Sequence, residues 1–358
     1  MSKFSFELLN IRETLEKLAS IKPKPVEPLK PTINLHQPDF WGENAALYEF
    51  SAYLTLYSKE FEKAAEFFYN AYTCYALASH FAKAMWNPKL AWDFYWKVAE
   101  CYGMYAEVCR KTGFQNIEKI YFNSDGLKLA GYLHLPRTDE KNYPVVILCH
   151  GATGCKDSRI LESIAKSLSD NNIAAFRLDI RGHGESEGEF SLKGWLEDIN
   201  SAILYLTRRA EVDSKRIGLL GHSLGGGLGL ITAVKNQAIK AYAGLAPASN
   251  LKSVIPFVIA SYKLKGFKVS DDATPENIEK FVEENNPINL VKKLQKPILL
   301  TYGDQDEFLP ALKISELFEK ANEPKELKVV KNADHTFLSP SKMEECAHLI
   351  AEWFKRNL

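Results

Sequence analysis

The chain of 358 residues sets 45 Lys and Arg against 45 Asp and Glu, so its formal net charge is zero, and 46% of its residues are hydrophobic. Balanced charge with no basic run excludes an electrostatic case for nucleic acid, and no apolar stretch reaches the roughly 20 residues of a membrane span. The length suffices for a large core plus a smaller domain; the six cysteines, with no C-x-x-C pair and no metal spacing with His, read as reduced and mostly buried, and neither metal nor organic cofactor is implied.

Phe4, Leu8, Ile11, Leu15 and Leu18 recur in alternating steps of four and three, a short amphipathic seam. Two heptads do not persist alone, so the seam should dock on its own chain or across a homodimer. Glu7, Arg12 and Glu13 break any signal-peptide core, which leaves the cytoplasm as the expected location. Pro23, Pro25, Pro28 and Pro31 then predict an extended linker, and residues 1–35 are read as helix plus linker.

Residues 36–114 differ in character, since His36 to Gly113 holds 20 of the 42 aromatic side chains. Phe61, Ala65, Phe68, Tyr72, Tyr75, Ala78 and Ala82, then Leu90, Phe94, Val98, Cys101, Tyr105 and Val108, follow helical spacing. Asn87-Pro88 separates these two long helices, because the residue before proline disfavours helix while proline suits a helix start. The segment is expected to be an all-helical cap over the mouth of the following domain, with most of its aromatics in its own core.

From 115 to 358 strands alternate with helical stretches. Ile120 to Pro136 reads as a hairpin turning at Asp125-Gly126, and Tyr143 to Cys149 as a buried strand entering His150-Gly151-Ala152-Thr153-Gly154. The strand Ile173 to Leu178 runs into Asp179-Ile180-Arg181-Gly182-His183-Gly184, read as a structural buttress. Ile217 to Leu220 then enters Gly221-His222-Ser223-Leu224-Gly225 ahead of a Gly-rich helix, so a G-x-S-x-G elbow falls where a strand turns sharply.

After a sixth strand, Lys240 to Leu245, an insertion of about 246–296 is expected to carry lid elements, with Lys252, Lys263, Lys265 and Lys268 on a solvated helix face. Pro297 to Tyr302 is the strand before Gly303-Asp304-Gln305-Asp306, and Leu327 to Val330 the strand before Lys331 to Thr336. Eight strands in this alternation predict an α/β fold with a mostly parallel sheet covered on both faces.

Ser223, an acid and His335 thus fall in chain order on three strand-end loops. A base beside the serine can accept its proton, and a carboxylate behind the base can hold the imidazole tautomer and stabilise its charged form. Asp306 is preferred to Asp304, because three residues past the glycine let the turn finish, whereas Asp304 is better placed to bond the turn itself. The N–H groups of Ala152 and Leu224 are the expected oxyanion donors, and His150 is expected to be structural.

These motifs resemble the α/β-hydrolase superfamily over roughly residues 115–358, particularly its prolyl-oligopeptidase-like and dienelactone-hydrolase-like branch. A helical segment ahead of such a domain resembles the group of the fermentation/respiration-switch and pseudooxynicotine hydrolase proteins. The resemblance implies esterase, thioesterase, acyl-transfer or C–C bond chemistry from one Ser–His–Asp set, with no cofactor. The expectation is a serine-dependent esterase acting on a small to medium apolar or aromatic molecule; the alternative from another class is a catalytically idle scaffold whose helical domain binds a partner.

Overall fold

A computed structural model describes residues 38–358 apart from 59, 85–87, 113–115, 139–140, 272 and 310. The amino-terminal seam and the Pro-rich linker lie outside the described residues.

Along β3 (Tyr143–Cys149), Val145, Ile147 and Cys149 enter one hydrophobic core while Val146 and Leu148 enter another. A strand apolar at every position must be covered on both faces, as in a helix-sandwiched parallel sheet. The other strands are β1 (Asn116–Ser124), β2 (Leu127–Leu135), β4 (Ala174–Leu178), β5 (Val212–His222), β6 (Ile239–Leu245), β7 (Ile298–Gly303) and β8 (Lys325–Val330). All eight form one sheet in the order β1-β2-β4-β3-β5-β6-β7-β8, with β2 antiparallel to both its neighbours and every later pairing parallel. This is the α/β-hydrolase arrangement expected from the sequence.

The helices, in chain order, are α1 (Pro38–Tyr57), α2 (Phe61–Ala84), α3 (Pro88–Thr112), α4 (Arg159–Asp170), α5 (Leu192–Leu206), α6 (Leu224–Lys235), α7 (Leu251–Leu264), α8 (Pro275–Asn285), α9 (Pro287–Leu290), α10 (Ala311–Lys320) and α11 (Pro340–Asn357). Apolar side chains of α5, α6 and α10 fill one core, those of α4 and α11 the other. The hairpin turn has Asp125 and Gly126 both at positive φ, 53° and 81°, as a two-residue I′ turn requires. Along β2 Leu129 to Leu135 are buried throughout, because Leu129, Leu133 and Leu135 enter the core of the sheet domain while Tyr132 enters that of the helical layer.

Among the described residues three helices precede the sheet, where helical spacing between Phe61 and Val108 marked two. α1 was missed because apolar residues surround it rather than forming one stripe: Ala45 and Ala52 are buried while Leu47 and Phe50 face outward. α3 starts at Pro88, as the Asn-Pro signal required. The helical layer has its own core around Phe68, Tyr72, Tyr102 and Tyr105, joined by Tyr132 of β2.

That layer meets the sheet through buried polar groups. The Tyr72 hydroxyl donates to the Asp157 carbonyl at 3.0 Å, the Tyr69 hydroxyl to Glu162 at 2.9 Å, and the Arg177 guanidinium lies 4.5 Å from the centre of the Tyr102 ring. Beside it the buried Lys156 ammonium bonds Glu185 at 2.7 Å, Asp179 at 2.9 Å and Asp157 at 3.1 Å. Charges this deep persist only when paired, so the residues form one unit.

Candidate active site

Ser223 stands between the end of β5 and the first residue of α6, with φ 54° and ψ −119°. A non-glycine residue there is strained and stays only where its surroundings hold it. Its N–H donates to Leu245 of β6 at 2.9 Å, and its carbonyl accepts from Gly226 at 3.0 Å and Ala248 at 2.8 Å. The flanking glycines are there for space: a Cβ on Gly221 would overlap the Gly225 carbonyl, and one on Gly225 the His150 carbonyl.

The loop after β8 brings His335 across to Ser223, with Nε2 3.0 Å from Oγ. On the other side of the ring Nδ1 lies 2.7 Å from Asp306 Oδ2, which sits on the loop after β7. A carboxylate only accepts, so Nδ1 carries the proton and Nε2 is left to accept from the serine hydroxyl. The second Asp306 oxygen accepts from Phe308 and Leu309 N–H, each at 2.9 Å. Burial opposes ionisation of Asp306, but the bond and charge of His335 and these two amides outweigh it and hold the carboxyl below the usual range.

Asp304, the competing acid, is exposed and accepts from the Asn332 N–H at 2.6 Å. It therefore ties its loop to the neighbouring one rather than bonding its own turn, and has no bond to His335.

The loop after β3 lies against the elbow closely enough that a Cβ on Gly151 would come 3.0 Å from that of Ser223. His150, buried, accepts from the Ile180 N–H on Nε2 at 3.2 Å and so donates from Nδ1 to the Gly151 carbonyl at 2.8 Å. Gly154 N–H donates to the same carbonyl at 3.1 Å. Because a trans peptide points its N–H opposite its C=O, fixing that carbonyl fixes the direction of the Ala152 N–H. Among the described residues neither the Ala152 nor the Leu224 N–H donates to another group.

One residue at the site carried no sequence signal. His222, buried beside the serine, has Nε2 2.9 Å from the His335 carbonyl and so donates to it, anchoring the base loop. Burial and then the neighbouring His335 push its pKa down to about 4, so it is a neutral strut. The helical layer, expected over the mouth, meets the sheet beside Asp157, Glu162 and Arg177; no hydrogen bond or ring contact joins α1, α2 or α3 to Ser223, Asp306 or His335 among the described residues. Of the insertion lysines, Lys252, Lys263 and Lys268 are exposed, while Lys265 reaches the Thr153 hydroxyl at 3.5 Å.

None of the six cysteines forms a disulfide, and all six are buried. Among the described residues no group of three His, Cys, Asp or Glu could hold a metal, and no helix is long and apolar enough to cross a membrane.

Residues 140–280 match the Hydrolase_4 family, described as serine aminopeptidase, S33. The protein YfhR of Salmonella typhimurium is 29% identical over 225 residues, 61% of this chain and 74% of that one. The quorum-quenching protein AidA of Acinetobacter baumannii is 29% identical over 158 residues, 42% of this chain and 51% of that one. Among solved structures, 2,6-dihydroxy-pseudo-oxynicotine hydrolase superposes with a TM-score of 0.73 at 20% identity, over 92% of this chain and 90% of that one. At that identity the likeness is one of fold, and its span reaches beyond the sheet into the helical layer. Est1E of Butyrivibrio proteoclasticus, with ferulic acid bound, superposes with a TM-score of 0.56 at 26% identity, over 66% of this chain and 98% of that one.

Proposed function

The chain belongs to the α/β-hydrolase superfamily and is a hydrolase, and from that premise we propose that it is a serine-dependent esterase working through an acyl-enzyme. The carrying observation is the continuous chain from Ser223 Oγ through His335 to Asp306, at 3.0 and 2.7 Å, starting on a strained elbow.

In this reading His335 Nε2 takes the hydroxyl proton as Ser223 Oγ attacks the substrate carbonyl, and Asp306 stabilises the imidazolium that forms. The tetrahedral oxyanion is held by the N–H groups of Ala152 and Leu224, beside the N-terminus of α6. His335 then protonates the leaving alcohol, the acyl-enzyme forms, and a water deprotonated by His335 releases the acid and restores Ser223. The chemistry needs no metal or organic cofactor.

A small aromatic or apolar acyl group is the preferred substrate class. Ferulic acid in Est1E favours it, as does the exposed Phe308 ring, whose centre lies 5.4 Å from that of His335. A second reading, hydrolysis of an activated C–C bond, comes from the resemblance of the sequence, with its helical segment ahead of the catalytic domain, to the pseudooxynicotine hydrolase group. A panel of p-nitrophenyl and feruloyl esters, aminoacyl p-nitroanilides and 1,3-diketones, each run against Ser223→Ala, tests the proposal. Ester turnover lost in the variant supports it. Diketone cleavage alone would shift it to the second reading, anilide cleavage alone to an aminopeptidase, and turnover equal in both proteins would remove the serine mechanism.

A further inference from the structure

Ala152 is bracketed by two peptide planes, and the His150 ring fixes only the one before it. The plane after it contains the Thr153 N–H, which donates to the Tyr262 hydroxyl at 3.1 Å. Tyr262 belongs to α7 of the insertion, 109 residues away, and its side chain is fully buried. Its hydroxyl also lies 2.6 Å from His183 Nε2. His183 Nδ1 faces the Arg181 carbonyl at 3.0 Å and must donate there, so in the neutral ring Nε2 accepts the Tyr262 proton. Burial, and then the neighbouring His150, push the His183 pKa down to about 3, which keeps that acceptor unprotonated at working pH.

The tie lies where the backbone needs one. Thr153 is β-branched and has φ 54°, a conformation such residues adopt only under constraint. Lys265, just after α7, reaches the Thr153 hydroxyl at 3.5 Å, so the same helix end contacts this residue twice. Tyr262 in turn is held by rings: Phe190 stacks on it at 4.4 Å and 21°, and Phe267 meets it edge-on at 4.9 Å.

We propose that Tyr262 is a positioning residue for the oxyanion donor: through Thr153 its hydroxyl locks the peptide plane following Ala152, so that helix α7 of the insertion sets the geometry of the loop facing Ser223. The inference rests on the serine-esterase reading and adds to it a coupling between insertion and reaction centre. A donor out of line weakens the transition state without weakening ground-state binding. Tyr262→Phe keeps both ring contacts and removes only the hydroxyl.

With a p-nitrophenyl ester that Ser223→Ala does not hydrolyse, Tyr262→Phe is expected to lower kcat about tenfold or more with KM within about twofold. Thr153→Gly in the Tyr262→Phe background is expected to recover part of the loss, because glycine holds positive φ without a tie. Wild-type kcat in Tyr262→Phe, a loss carried by KM, or no recovery from Thr153→Gly would overturn the inference while leaving the serine mechanism standing. Full turnover in Ser223→Ala would instead remove the reading beneath it.

Discussion

The loops around Ser223 and the seam between the helical layer and the sheet are both dense in polar groups, yet they are built in opposite ways. At Ser223 each functional side chain sits one turn beyond a strand end, and backbone geometry does the placing: positive φ at the serine, amides on Asp306, a peptide plane fixed by His150. At the seam, side chains from distant elements neutralise one another, with Lys156 amid Asp157, Asp179 and Glu185, and Arg177 against Tyr102. The first arrangement leaves a reactive hydroxyl on a rigid frame. The second leaves nothing to react and a large penalty for removing any member. Chemistry and stability should therefore separate on mutation.

Ser223→Ala tests the first half and carries the largest effect: turnover should fall by about 10⁴-fold or more while Tm stays within a few degrees, as steady-state kinetics and thermal denaturation would read. An active variant would break the comparison at its root. Asp306→Asn should cost roughly 10³-fold in kcat, since His335 loses the partner that fixes its tautomer, whereas Asp304→Asn should stay within about threefold. If the two asparagine variants ranked the other way, the acid would have to be moved by two residues.

Lys156→Met tests the second half. Two buried carboxylates and the part-buried Glu185 lose their shared cation, and the expected cost is about 3–5 kcal/mol, a Tm drop on the order of 10 °C by calorimetry, with kcat per folded molecule far less affected. A variant as stable as the parent would mean that the cluster is no ionic unit.

Acid should act through the buried imidazoles. His150, His183 and His222 are held neutral by burial, with pKa values near 4, 3 and 4. Below about pH 6.5 the unfolded chain binds protons that the fold does not, so stability is fully present above that pH and falls as acid is added, by up to about 1.4 kcal/mol per unit for each ring. Asp306, depressed, loses its contribution only further down, as pH falls through its folded value. Denaturant midpoints between pH 7 and 4.5 should show the slope, and His222→Gln, which can still donate to the His335 carbonyl, should flatten it by one ring's share. An unchanged slope would mean that His222 titrates freely.

The sequence was most legible where function depends on local backbone. Gly221 to Gly225, the loop of Asp306 and the loop of His335 each follow a short apolar strand, and eight strands could be found by pattern alone. What could not be read depends on separation along the chain: His222 meets the His335 carbonyl across 113 residues, and Tyr262 meets His183 across 79. Neither has a neighbour in sequence to announce its partner. α1 escaped for a different reason, because its apolar side chains leave no polar face to set a period.

The central claim is that Ser223 is a nucleophile activated by His335, and covalent labelling reads it most directly. Treating the purified protein with a fluorophosphonate and locating the adduct by peptide mass spectrometry should give a single modified residue, Ser223, with labelling lost in His335→Ala. Labelling of another residue, no labelling at all, or Ser223 labelling at an equal rate without His335 would contradict it.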